Sequence, residues 1–262
     1  MPKFAANLSM MFNELPFLDR FAAARAAGFE AVEFLFPYEH PAEEIAARLK
    51  GSGLQNVLFN APPGDWNAGE RGMACLPERR AEFRDGIKRA LDYATALGCP
   101  RLHVMAGLAP AGGARDTLLA TYAANLDFAA EECAKASVKP VIEPINHRDI
   151  PGFFLNTTAE AASIIEALGP ERVGLQFDLY HCQITEGDVT RRAQELLPFI
   201  AHMQVADTPG RNEPGTGEVR WDFVFDAIDS MGYRGWIGCE YRPKGETLAG
   251  LGWMQKYREH DA

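Results

Sequence analysis

Short apolar, often β-branched runs alternate with longer amphipathic stretches along the chain, and the alternation repeats eight times. The runs predict strands over 4–8, 31–36, 56–60, 101–105, 140–143, 173–178, 202–206 and 236–241. Between them, apolar spacing of three to four residues predicts helices near 17–27, 42–51, 78–97, 116–137, 158–168, 188–198, 221–231 and 245–258. Gly28, Gly98 and Gly232 stand where helices should stop, and Asp116, Thr157 and Asp222 where helices need an N-terminal cap. Strict alternation requires parallel strands with helical crossovers, which leaves a doubly wound sheet or a closed barrel. A dinucleotide-binding sheet would show G-x-G-x-x-G after its first strand, where this chain has Asn7-Leu8-Ser9-Met10-Met11-Phe12. Eight units in 262 residues therefore favour an α/β fold, a single (β/α)8 TIM-barrel domain over 1–262.

In such a barrel the loops after the strands build the site, and two are long: the Gly/Pro-rich segment 61–76 and the segment 208–220. The last four strands each end on a carboxylate or amide, Glu143, Asp178, Gln204 and Glu240. Alternation sends Leu175, Phe177, Met203, Val205, Ile237 and Cys239 toward the helices, so Asp178, Gln204 and Glu240 point inward; Glu143, sharing a face with Val141, joins them. Three carboxylates and an amide at one mouth would repel unless a cation lay between them. An all-oxygen set suits Mn²⁺ or Mg²⁺ better than Zn²⁺. A divalent ion beside two glutamates suits proton transfer on carbon next to a carbonyl. One glutamate takes the proton, the other returns it at the neighbouring carbon, and an enediolate lies between.

Composition narrows the function classes. Acidic residues outnumber basic ones 36 to 26, a net charge of −10, which argues against nucleic acid or anionic lipid as partner. No run of about 18 apolar residues occurs, and Met1-Pro2-Lys3-Phe4 does not open a signal peptide, so no membrane partner and a cytoplasmic location are expected. The five cysteines (75, 99, 133, 182 and 239) are odd in number and lack a C-x-x-C pair, as structural thiols in a reducing compartment would be.

Val141-Ile142-Glu143-Pro144-Ile145-Asn146, Gln176-Phe177-Asp178-Leu179-Tyr180-His181 and Cys239-Glu240-Tyr241 resemble the motifs of xylose-isomerase-like TIM barrels. Phe59-Asn60-Ala61-Pro62-Pro63-Gly64-Asp65-Trp66, followed by Gly69-Glu70-Arg71-Gly72, is similar to the hydroxypyruvate isomerases and the related 2-oxo-tetronate isomerases. The resemblance implies interconversion of hydroxypyruvate and tartronate semialdehyde, Glu143 and Glu240 as acid/base pair, and Glu143, Asp178, Gln204 and Glu240 as metal positions. Sugar epimerases of the superfamily tend to carry His at the place of Gln204, and an amide is the weaker ligand. It also implies a small hydroxy-carbonyl acid as partner, and a homo-oligomer is compatible with it.

His181 is expected to contact a substrate oxygen. Arg211 and Arg71 are the cations that could meet a carboxylate, for which arginine has the bidentate geometry. His202 and His103 should face inward behind the ligands. Trp66 would wall the site or pack against a neighbouring subunit. Glu213 and Glu218 belong to a tight turn, and Asn7, Asn60, His40 and His260 are read as polar surface or turn residues. The rival readings are a sugar epimerase or dehydratase on the same scaffold, a non-catalytic barrel binding a small acid, and a multi-zinc endonuclease on abasic DNA. Six histidines in all and the acidic charge speak against the endonuclease.

Overall fold

The computed structural model describes residues 1–257. Eight parallel strands, β1 (Lys3–Asn7), β2 (Ala31–Glu33), β3 (Gln55–Asn60), β4 (Arg101–His103), β5 (Lys139–Ile142), β6 (Gly174–Asp178), β7 (Ile200–Val205) and β8 (Trp236–Cys239), close in sequence order, with β8 pairing back to β1. Around them lie α1 (Arg20–Ala26), α2 (Ala42–Ser52), α3 (Arg80–Leu97), α4 (Arg115–Lys135), α5 (Thr158–Leu168), α6 (Leu179–Thr185), α7 (Val189–Leu196) and α8 (Trp221–Ser230). The architecture is the predicted (β/α)8 barrel. Among the described residues no helix is long and apolar enough to cross a membrane.

Strand alternation explains how the barrel is filled. Leu175, Phe177, Met203, Val205, Ile237 and Cys239 are buried in the continuous apolar layer beneath the helices. Inside the barrel, Ala5, Ala31 and Val57 form a small apolar plug with Trp236 packed on it. Two residues further along β1 and β2 the interior turns polar, with Asn7 and Glu33 buried beside Gln176, His202 and Gln204. Burying that many polar groups is tolerable only where they satisfy one another.

Several boundaries differ from the pattern-based expectation. The helix expected near 188–198 is α7, and a separate α6 begins directly at the end of β6. The Asp178 carboxylate accepts the Tyr180 N–H at 2.8 Å and so caps α6, while Gly187 and Asp188, with φ of 69° and 52°, separate the two helices. The last predicted helix is a 3-10 stretch over Leu248–Tyr257, which carries Gly250 and Gly252 within it. It places Trp253 and Tyr257 on Phe4 and Phe225 in an aromatic cluster. Position 258 of that expected helix, and His260, lie outside the described residues. Thr157 caps α5 as expected, accepting the Glu160 N–H at 3.3 Å. Asp116 and Asp222 instead sit inside the first turns of α4 and α8, where their charge still meets the positive helix end.

Candidate active site

The C-terminal strand ends open into a cavity of about 360 Å³ whose walls include Trp66, Arg71, His103, Glu143, Arg211 and Glu240. Glu143 and Glu240 are the residues directly after β5 and β8, and Asp178 closes β6. Ligand-type atoms of Glu143, Asp178, His181 and Glu240 all lie within 4.8 Å of one another, and all four residues are buried. Burial raises the pKa of each acid. For Glu143 the charges of Glu240 and Asp178 add to it and push the carboxyl well above its ordinary range. Asp178 is pushed up to about 6 and Glu240 to about 8, in both cases by burial and against the opposing pull of Arg211. Glu143 Oε1 and Asp178 Oδ2 are buried without a hydrogen-bond partner among the described residues. Crowded, desolvated carboxylates with orphaned oxygens are what a divalent cation would stabilise, so the residues present fit a metal.

Arg211 is the cation that keeps this cluster from greater repulsion. Its guanidinium bonds to Glu240 and lies 3.2 Å from Asp149 Oδ2 and 3.9 Å from Asp178 Oδ2. Burial opposes its charge, yet Glu240, Asp178 and Asp149 outweigh burial and hold it above its usual pKa. Its backbone takes the left-handed conformation (φ 55°), an uncommon state for a residue with a side chain. That conformation is held by an N–H donated to Asp207 O and by the Arg242 N–H donated to its carbonyl, both at 2.9 Å. The loop is pinned by Asp207, whose carboxylate accepts the N–H groups of Gly215, Gly217 and Val219. Glu218 and Glu213 serve the same loop, accepting from Thr208 and from the Lys244 N–H.

His181 is oriented by Asn146. The Asn146 amide oxygen accepts the Asp149 N–H at 2.8 Å, so its NH₂ faces His181 Nδ1 at 2.6 Å, and the Asn146 backbone N–H points at the same nitrogen from 3.4 Å. Nδ1 must then be the acceptor and Nε2 carries the proton. Nε2 lies 3.6 Å from Asp178 Oδ2 and 3.8 Å from Glu143 Oε1. Burial, aided by Arg211, holds the ring neutral. As placed, His181 offers the cavity an N–H donor rather than a metal-binding lone pair.

Gln204 pairs with Asp178 across β6 and β7. Its amide nitrogen donates to Glu33 at 2.8 Å and its oxygen accepts from Gln176 at 2.6 Å, leaving that oxygen one lone pair. His202 lies deeper, 2.6 Å from Glu33, and His103 faces Glu143 across 3.6 Å. Arg71 donates to the carbonyls of Trp66 and Glu70 at 3.0 and 2.7 Å and stacks over the Trp66 ring at 3.8 Å. It lines the cavity without a carboxylate partner among the described residues. Trp66 is a wall of the cavity, leaning on Phe36. Cys182, next to His181 in sequence, has its thiol pushed up to about 12 by burial, which keeps it from the thiolate form.

Two expectations are corrected: Asn7 and Asn60 are buried, not surface or turn residues. Asn7 bonds to Glu33 inside the barrel, and Asn60 lines the cavity. His40 stacks on Phe17 at the periphery. Sequence reasoning missed Asn146, Asp149, Arg242 and Glu33. The first two stand just after Glu143 within reach of its motif, and inward alternation on the second strand marks Glu33.

The model of the xylose isomerase-like TIM barrel family matches residues 21–257. The chain belongs to that family. It is 56% identical over 257 residues to a 2-oxo-tetronate isomerase of Cupriavidus necator, covering 98% of this chain and 99% of that one. It is 46% identical to the hydroxypyruvate isomerase of Escherichia coli, covering 98% and 100%. Likeness of this extent to relatives of one shared kind of activity places the chain among the isomerases. A crystal structure described as an AP endonuclease of family 2 from Brucella melitensis superposes with a TM-score of 0.96 at 47% identity, covering 98% and 100% of the two chains. Among the described residues the metal-type cluster in this chain contains one histidine, unlike the histidine-rich site that abasic-DNA chemistry calls for. A 3-keto-D-glucoside 4-epimerase of E. coli, at 20% identity and TM-score 0.80 over 98% and 99% of the two chains, shares the fold.

Proposed function

We propose that this isomerase interconverts hydroxypyruvate and tartronate semialdehyde, with Glu143 and Glu240 moving a proton between C3 and C2. The observation that carries the reading is the convergence of both glutamates with Asp178 within 4.8 Å, beside a cavity-lining arginine, Arg71, without an acid partner among the described residues. Glu143, Asp178, Gln204 and Glu240 would hold Mn²⁺ or Mg²⁺, which when bound supplies polarisation of the substrate carbonyl and stabilises the enediolate charge. Arg71 takes the substrate carboxylate, because Arg211 is already committed to Glu240 and Asp149. Arg211 bonds to Glu240 and favours its ionised form, while Glu143 has neutral histidines beside it. Starting from hydroxypyruvate, Glu240 therefore takes the C3 proton and Glu143 delivers one to C2. The hydroxyl proton moves from O3 to O2 beside the His181 Nε2–H, which completes the balance.

A second reading, the four-carbon 2-oxo-tetronate, is favoured by a specific feature. A second cavity shares Met10, Leu35, Trp66 and Arg242 with the first and offers space for a longer acid. Assaying both acids side by side, with chelator-stripped protein and with Mn²⁺ or Mg²⁺ restored, separates the readings. Metal-dependent turnover that prefers hydroxypyruvate is the expected result. Preference for the four-carbon acid keeps the site and changes the substrate, and no turnover on either overturns the proposal.

A further inference from the structure

Beneath the carboxylate cluster, at the end of β2, Glu33 is buried to 1% exposure inside the barrel. Its Oε1 accepts from Asn7 Nδ2 at 2.9 Å and from Gln204 Nε2 at 2.8 Å, and its Oε2 faces His202 Nε2 at 2.6 Å. The Asn7 amide cannot turn round, since its oxygen accepts the Ser9 N–H at 3.1 Å. Gln204 is different. Its other partner is Gln176, whose own Oε1 is buried without a partner, so both amides could flip together and still keep one N–H···O bond between them. Only the acceptor-only carboxylate of Glu33 distinguishes the two orientations. β8 makes room for it: a Cβ at Gly238, the residue paired with Gln204, would overlap the Glu33 carboxyl. An apolar side chain in that space would avoid the desolvation of a buried charge, so its presence points to orientation rather than to stability.

We infer that Glu33 is a positioning residue of the active site: it fixes Gln204 with its amide oxygen, not its nitrogen, turned away from Glu33. The effect on chemistry passes through Gln204 beside Asp178, and Glu33 itself does not touch the reacting atoms. The inference rests on the metal-assisted reading of the site, because an amide presents a cation only with its oxygen.

Binding of Mn²⁺ to the purified full-length chain, followed by calorimetry and by the spin-resonance spectrum of the ion, tests it. Wild type should bind one ion per chain and Asp178→Asn should lose it. Glu33→Gln, which removes the discrimination between amide orientations, should weaken Mn²⁺ about 10- to 100-fold and alter the spectrum. Gly238→Ala keeps every polar group but displaces the Glu33 carboxyl, so it should weaken Mn²⁺ in the same direction, and it decides the matter if Glu33→Gln does not fold. Wild-type affinity and spectrum in the folded variants overturn the role of Glu33 and leave the metal site standing. Absence of Mn²⁺ binding by wild type, or indifference to Asp178→Asn, overturns the metal-assisted reading and this inference with it.

Discussion

At the residue scale the two glutamates differ in their company: Glu240 has Arg211, whereas the Glu143 carboxylate stands between two neutral histidines, His103 facing Oε2 and His181 facing Oε1. Glu143→Gln and Glu240→Gln should each lower kcat by about 10²- to 10⁴-fold while the fold persists. Incubation in D₂O separates their roles. Glu240→Gln should lose exchange of the hydroxypyruvate C3 hydrogen, and Glu143→Gln should retain exchange while forming little product. Equal exchange in both variants would reverse or merge the assignment. Arg71 acts on binding instead. With Arg71→Gln, loss of a charge-assisted bidentate contact should raise KM about 10- to 100-fold and move kcat much less. The four acids and amides at strand ends were legible from alternation alone, because the period of two assigns each a face. Asn146 and Asp149 were not, since they sit in an irregular turn after β5 where no period applies and only the folded loop brings them to His181 and Arg211.

At the scale of elements, the segment 61–76 presents Trp66 and Arg71 by bonding its backbone to β4 and the residues after it and by closing on itself. The Ala61 N–H reaches His103 O, the Gly72 N–H reaches Pro63 O, and the Cys75 N–H reaches Ala106 O, each at 2.8 Å. Gly72 is the tightest point: its φ is +103°, and a Cβ there would lie 2.5 Å from the Met105 carbonyl oxygen. Gly69, with φ +95°, has nothing within 4 Å of a Cβ. Gly72→Ala should therefore destabilise the chain by about 1–3 kcal/mol and raise KM through the displaced Arg71, seen in thermal melts and initial rates. Gly69→Ala bears only the backbone strain and should leave KM near wild type; equal KM for the two variants would show that the contact with Met105 does not set the loop. The loop was legible as a site-building segment from its length and Gly/Pro content. The split between α6 and α7 was not, because the apolar spacing of 179–185 belongs to a helix too short to show a period, started by the same Asp178 that serves the cluster.

For the whole molecule, the barrel places a polar interior inside an apolar shell, and buried histidines make its stability depend on pH. His103 is fully enclosed, and burial alone pushes its pKa down from 6.5 to about 3. A folded pKa below the unfolded one means that the unfolded chain binds the proton first. The stability this group contributes is whole above about 6.5 and declines as pH falls toward 3. Between pH 7 and pH 5 the unfolded His103 is protonated while the folded one is not, a loss of about 2 kcal/mol by the linkage relation. The carboxylates of the cluster act in the opposite sense, because their raised pKa values favour the folded chain at low pH and disfavour it as pH rises through them. The net slope of wild type therefore mixes both, and the contribution of His103 appears only by difference. Urea unfolding of wild type and His103→Gln at pH 7 and pH 5, both without added metal, isolates it. Acidification should remove about 2 kcal/mol less from His103→Gln than from wild type; an equal loss in the two would mean that His103 takes up its proton inside the folded barrel, where it faces Glu143 across 3.6 Å.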